Sequence, residues 1–329
     1  MAVTPPQSPR RTILALQRAC ALACGAVTLV SAPRLAQEQR PASVYTVATL
    51  GADSSNVWDT FHRRLTELGY VEGRNLILER RWSHGYEDRL PTLLAEVLGA
   101  KPDVLITSML PPTSRIDPAQ CVPILAIAVW EPYGSCRVFP VARMSQAASA
   151  REVSAAHFRL ARTAIPDASR FAILTDSDRP FLVEYVRELG VAATAAGVVV
   201  HPLDVSGDPD LGRLASAITK EAPDVLIVGP SFMRPDSRRQ IVRFATLRGI
   251  PSIGSYVADG VVIAADYDWT QLARRTADFV DQLLKGVKPA DLPTGEPPRF
   301  EVIVDGQVAK TLGLTIPESV LSQADRVLN

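Results

Sequence analysis

Lys101-Pro102-Asp103-Val104-Leu105-Ile106 and Ala222-Pro223-Asp224-Val225-Leu226-Ile227 carry nearly the same message 121 residues apart. In each, a Pro-Asp turn launches a run of branched apolar residues that is too short for a helix and apolar on both faces. A strand buried on both sides within a parallel sheet has this pattern. Beyond each run the chain turns small or polar, with Thr107-Ser108 in the first copy and Gly229-Pro230-Ser231 in the second. In open α/β sheets, ligands bind outside such carboxyl ends.

The likeness extends on both sides. Val44–Leu50 is echoed by Arg170–Asp176, Asn75–Glu79 by Val198–Pro202, and Val122–Ala126 by Ile250–Gly254. Four strand-like runs thus recur in one order at offsets of 121 to 128 residues. Solenoid repeats run to roughly 20–50 residues, so this longer period predicts two related α/β halves.

Between the runs lie helical patterns. The first half predicts strand 44–50, helix 56–68, strand 75–82 with a tail polar enough for a sheet edge, helix 86–98, strand 103–106 and strand 122–129. A helix over about 150–164 leads into the second half. That half predicts strand 170–175, helix 180–196, strand 198–204, helix 209–220, strand 224–228, helix 236–248 and strand 251–255. The tail adds strand 261–264, an amphipathic helix over 269–284, strand 300–304 and a short helix near 307–312. In a two-lobe protein such extra elements cross back and form the waist. The expected fold is α/β, two doubly wound parallel-sheet lobes joined by a multi-strand hinge. The first lobe covers 43–131 with about 261–290, and the second covers 135–259 with about 299–329.

Of 329 residues, 47% are hydrophobic and 21% charged, the balance of a globular protein. Lys+Arg and Asp+Glu number 35 each, and aromatics make up only 6%. With no net field and no basic patch interleaved with aromatics, nucleic acid is not an expected partner. Residues 1–36 differ in kind: Arg10-Arg11 precede a small apolar run, Ala19–Ala32, and Val30-Ser31-Ala32 fits a small-x-small cleavage site. This segment reads as a cleaved secretory signal peptide and places the mature protein in the periplasm. The run is shorter than the roughly 20 residues a membrane span needs. Ala21-Leu22-Ala23-Cys24 resembles a lipoprotein box, but the apolar segment continues past Cys24. Cys121 and Cys136 remain in the mature chain. The strand predicted between them carries the chain about 25–30 Å away, and six residues return at most about 20 Å, so a disulfide is not expected.

Motif chemistry is sparse. No Gly-x-Ser-x-Gly, Gly-x-Gly-x-x-Gly or phosphate-cradling Gly-Lys-Ser appears, and no Cys-x-x-Cys or His pair at metal spacing. His62, His84, His157 and His201 are scattered and read as surface or packing residues. No cofactor, metal or catalytic residue is expected. An exported two-lobe α/β chain without a nucleophile is most simply a monomeric solute binder that closes around its ligand.

The sequence also resembles a known family, the ABC-transporter substrate-binding proteins of the group that includes tryptophan- and tyrosine-type binders. Leu68-Gly69-Tyr70-Val71-Glu72-Gly73-Arg74-Asn75-Leu76, then Asp88-Arg89-Leu90-Pro91 and Lys101-Pro102-Asp103-Val104, resembles its early signature. Leu284-Lys285-Gly286-Val287-Lys288-Pro289-Ala290-Asp291-Leu292-Pro293, Phe300-Glu301-Val302-Ile303-Val304 and Leu312-Gly313-Leu314-Thr315-Ile316-Pro317 resemble its closing one. The resemblance covers about residues 43–329 and implies a periplasmic-binding-protein type I fold, a small-molecule ligand and an ABC permease as partner. Two cleft-lining regions depart from the family pattern. Its Asp-Pro-Val turn and Pro-Gly-Gly-Asn segment are Trp130-Glu131-Pro132-Tyr133-Gly134 and Ala142-Arg143-Met144-Ser145-Gln146-Ala147 here, and its Ser-Tyr-Gly is Ala264-Ala265-Asp266. The family's ligand does not carry over with them.

Position at strand ends nominates Asp53, Ser54, Thr107, Ser108, Trp130, Glu131 and Tyr133 from the first lobe. Asp176, Ser231, Phe232, Ser255, Tyr256 and Asp266 face them from the second lobe or the crossover. Hydroxyls and loop N–H groups suit a carboxylate, Glu131 or Asp266 an ammonium, and Trp130, Tyr133 or Phe232 an apolar or aromatic moiety. Asp53 and Ser54 equally suit helix capping. A periplasmic sensor or accessory binder without a transporter would read identically. An exported α/β enzyme would require a nucleophile or metal cluster.

Overall fold

The computed structural model describes residues 44–51, 56–84, 86–107, 122–127, 138–142, 146–177, 180–205, 210–230, 235–293 and 295–329. Residues 1–36, with the expected signal peptide, and both Cys121 and Cys136 lie outside these residues.

The first half runs β1 (Tyr45–Gly51), α1 (Asn56–Glu67), β2 (Leu76–Trp82), α2 (Leu90–Gly99), β3 (Val104–Thr107), β4 (Ile124–Ala126) and β5 (Val138–Pro140). The second runs α3 (Gln146–Ala164), β6 (Arg170–Thr175), α4 (Pro180–Ala195), β7 (Val199–Asp204), α5 (Leu211–Glu221), β8 (Val225–Val228), α6 (Pro235–Leu247), β9 (Ser252–Gly254) and β10 (Ile263–Tyr267). The tail adds α7 (Trp269–Leu284), β11 (Phe300–Asp305), α8 (Gly306–Thr311), α9 (Glu318–Leu321) and β12 (Arg326–Leu328).

The strands form two sheets, β2-β1-β3-β4-β5 and β12-β11-β10-β9-β8-β6-β7. All pairings are parallel except β10 with β11. Setting β1 to β5 against β6 to β10 reproduces the same strand order, so the sequence echo is an echo of topology. The quoted stretches become β3 and β8, and their turns do the same job. Asp103 Oδ2 accepts the Thr46 N–H at 2.7 Å, and Asp224 Oδ2 accepts those of Ser169 and Arg170 at 2.8 and 2.9 Å. The aspartates' own N–H groups donate back to the Thr46 and Arg170 carbonyls. Each carboxylate therefore fixes the register of the neighbouring strand. The residues before the two prolines, Lys101 and Ala222, both have positive φ, 49° and 40°.

As its polar tail predicts, β2 is a sheet edge. Arg80 meets Glu72 at 2.7 Å and Arg81 meets Glu96 at 2.8 Å, keeping charge on that edge. Helix α7 matches its predicted bounds because Asp268 caps it, accepting N–H bonds from Thr270 and Gln271. It leaves β10 of the larger sheet and packs on α1 beside the smaller one: Arg64 pairs with Asp278 at 2.8 Å, and the Tyr70 hydroxyl donates to Asp281 at 3.0 Å. Accordingly, one core cluster contains Val47, Phe61 and Val104 of the first half, Leu272 and Val280 of α7, and Phe171, Tyr185 and Ile253 of the second.

Several predicted bounds shift. β10 begins and ends later than the predicted 261–264, and Asp266, nominated at a strand end or crossover, lies within the strand. Of the strand expected over 122–129, Ile124–Ala126 form β4, and residues 128–129 lie outside the described residues. Three-residue β5 and β12 were not predicted; Pro140 inside β5 removes a ladder donor. Among the described residues, no helix is long and apolar enough to cross a membrane.

The carboxyl ends of β8 and β9 are packed without slack. A Cβ on Gly254 would fall on the backbone carbonyl oxygen of Val228, and one on Gly229 would lie 2.7 Å from Cε1 of Tyr185. Gly254→Ala is expected to lower stability by about 1–3 kcal/mol, read as a drop in the urea midpoint. An unchanged midpoint would show that β9 moves freely away from β8.

Candidate functional site

Five of the nominated residues can be placed. Thr107 ends β3 in the smaller sheet and is wholly buried. Asp176 follows β6, Ser255 and Tyr256 follow β9, and Asp266 lies near the end of β10, all at the carboxyl edge of the larger sheet. Asp176, Ser255 and Asp266 are also buried. Asp53, Ser54, Ser108, Trp130, Glu131, Tyr133, Ser231 and Phe232 lie outside the described residues.

Asp266 and Ser255 come together because β10 pairs with β9 only through Ile263 and Ala264. Past Gly254 the β9 chain leaves the ladder while β10 continues, and Ser255 fills the space beside Asp266. Asp266 Oδ1 accepts the Tyr267 N–H at 2.7 Å. Burial raises its pKa to about 7, against the lowering pull of that N–H and of the nearby Ser255 and Trp269 side chains. Their pull does not complete the site's hydrogen bonding. Asp266 Oδ2 and Ser255 Oγ are buried without a hydrogen-bond partner among the described residues, as is Ser252 Oγ on β9. Unmet buried polar atoms are rare in folded proteins and mark places where a ligand or water completes the bonding.

Beneath this edge sits a histidine that the sequence pattern left as surface or packing. His157 is fully buried, with Nε2 2.7 Å from the Ala265 carbonyl and Nδ1 2.6 Å from the Tyr185 hydroxyl. A carbonyl only accepts, so Nε2 carries the proton and Nδ1 accepts from Tyr185. Burial lowers the His157 pKa to about 4, and the ring is neutral. It pins α3, α4 and β10 together and acts as a packing residue. Its register on α3 with Val153, Leu160 and Ala164 is the signal that marks it as core.

A second buried pair escaped sequence reasoning. Arg238, in the first turn of α6, places Nε 2.7 Å from Asp259 Oδ2 and Nη2 3.4 Å from Oδ1. Its guanidinium carbon lies 4.8 Å from the Tyr256 ring centroid. The nominated Tyr256 is thus held from behind by a cation, which fixes its ring at the sheet edge. The two partners are 21 residues apart, and no local pattern announces them. Among the described residues, no group of three or more His, Cys, Asp or Glu is placed to hold a metal ion.

Known proteins match this architecture. A conserved domain protein from Vibrio cholerae O1 biovar El Tor aligns over 87% of this chain and 100% of its own, with 20% identity and a TM-score of 0.71. The ABC domain of Streptococcus pneumonia in complex with L-Trp aligns over the same shares with 20% identity and a TM-score of 0.69. A ligand-free, open substrate-binding protein with adhesive properties from Clostridium difficile gives 16% identity and 0.56 over the same shares. These likenesses show the fold, the two-sheet arrangement of type I periplasmic binding proteins. No curated protein gives a significant match. The family model for ABC transporter substrate binding proteins matches residues 51–328. The chain is therefore a member of the ABC transporter substrate-binding protein family.

Proposed function

We propose that the protein is an exported, monomeric receptor that captures a small amino-acid-like or aromatic molecule between its two halves and delivers it to an ABC importer. The observation that carries this reading is the carboxyl edge of the larger sheet, where buried Asp266 and Ser255 keep hydrogen-bonding capacity unspent. Membership of a substrate-binding family supports it, and so does the L-Trp complex of the Streptococcus pneumonia relative. In this reading Asp53, Ser54, Thr107, Ser108, Trp130, Glu131 and Tyr133 line one wall. Asp176, Ser231, Phe232, Ser255, Tyr256 and Asp266 line the other. Residues 1–36 direct export to the periplasm and are removed, and the protein binds and releases its ligand without chemical turnover.

Screening the purified protein by thermal shift against amino acids, aromatic acids, amines and small amides tests this. A true ligand at about 100 times its Kd is expected to add about 2.7 kcal/mol to the folded state and to raise Tm accordingly. A panel without a single shift overturns the receptor reading.

A further inference from the structure

We infer that Asp266, with Ser255 beside it, forms a subsite for a protonated amine or amidine, and that seating this cation drives one proton from Asp266 into solvent. The inference rests on the receptor reading and names the ligand class for it.

Geometry is the first support. Asp266 Oδ2 and Ser255 Oγ are both buried, and neither makes a hydrogen bond of good geometry among the described residues. Ser255 and Trp269 lie close enough to Asp266 to favour its carboxylate by weak hydrogen bonding. A carboxylate oxygen next to a hydroxyl is an acceptor pair, and an ammonium or amidinium brings two or more N–H donors to it.

Charge is the second support. Glu301 is the cross-strand partner of Asp266 on β11, and directly opposed like charges are unfavourable in a sheet. From α3, Glu152 accepts the Tyr267 hydroxyl at 2.7 Å, and His157 bonds the Ala265 carbonyl as a neutral ring. From α4, Tyr185 presents a hydroxyl already used by His157, and Asp268 precedes α7. The cations on this side are engaged: Arg299 contacts Asp268, Asp325 and Glu301, Arg326 contacts Glu301, and Arg238 is bound to Asp259. Among the described residues, the surroundings of Asp266 are thus acidic and lack a dedicated counter-ion, which a bound cation supplies. With the site empty, burial holds the proton on Asp266. When an ammonium arrives already protonated, the Asp266 O–H bond breaks, its proton passes to water, and the resulting carboxylate pairs with the ligand. Total charge is conserved, with one proton released per cation bound.

The test uses matched probes that differ only in the charged group, tryptamine against indole-3-propionate and phenethylamine against 3-phenylpropionate. Binding is followed by calorimetry from pH 5 to 8.5 in two buffers of different ionisation enthalpy. The amines are expected to bind, to gain about tenfold in affinity for each unit that pH rises toward neutrality and then level off, and to release close to one proton near pH 6. Asp266→Asn is expected to weaken amine binding at pH 8 by tenfold or more and to abolish the proton release. Ser255→Ala, a smaller change, is expected to weaken it severalfold with the proton release kept. Binding of the acids in place of the amines, or amine binding untouched by Asp266→Asn, overturns the subsite and leaves the receptor reading standing. If neither class binds and the wider panel is silent too, both fall.

Discussion

Replacing Arg238 with alanine is expected to remove about 3–5 kcal/mol of stability, the loss that follows when one partner of a buried ion pair is deleted. The two side chains are only 8% and 2% exposed, and the contact is two-pronged. Truncation would leave Asp259 as an uncompensated buried charge and remove the cation behind Tyr256. The position itself argues that pairing is the reason for the residue. A cation in the first turn of a helix sits against the positive end of the dipole and gains nothing there from the helix. Urea denaturation of Arg238→Ala and of the double variant Arg238→Met/Asp259→Leu separates the causes. The double variant is expected to recover most of the loss, since two apolar groups leave no orphaned charge. A loss below about 1 kcal/mol for Arg238→Ala would mean that the pair behaves as a solvated surface bridge.

The second large effect is in pH. Asp266 rises from an ordinary 3.8 to about 7 on folding, so the native chain holds that proton more tightly than the unfolded one. Its contribution favours the native state fully below about pH 4 and is lost progressively as pH climbs to about 7. His157 falls from 6.5 to about 4, so the unfolded chain takes up that proton first. Its contribution is complete above pH 6.5 and is lost as pH drops toward 4. The two slopes oppose each other and nearly cancel between pH 4 and 6.5. Asp266→Asn removes one of them. The stability gained by this variant over the wild type is expected to grow from pH 4 to 7, approaching about 4 kcal/mol, and then to level off. In the variant, the His157 term then appears uncovered, as stability that rises by up to about 3 kcal/mol over pH 4 to 6.5. A gap between variant and wild type that is constant with pH would mean that Asp266 is ionised in the native state throughout.

Local chemistry made the scaffold readable. Pro102-Asp103 and Pro223-Asp224 announce strands because each aspartate binds N–H groups at the start of the neighbouring strand, β1 or β6. The bounds of α7 follow from Asp268 and an apolar stripe. Where signals were short, strands were missed: β5 and β12 are three residues each and carry no period to detect. The candidate site was readable only as a set of strand ends. What gives it character joins distant positions, with Arg238 to Asp259 21 residues apart, His157 to Tyr185 28 and His157 to Ala265 108. Asp266 could be nominated from its place in the chain. Its isolation from partners is a property of packing, which composition does not encode.

The apolar cluster that runs from Val47 and Phe61 through Leu272 and Val280 to Phe171 and Ile253 has a bearing on how the molecule comes apart. Each half keeps a smaller apolar cluster of its own, but the principal one is shared, because α7 is rooted in one sheet and seated against the other. Heat or denaturant should therefore take both halves in a single cooperative event. Damage confined to either one, a nick near α7 included, would be felt as loss of the whole.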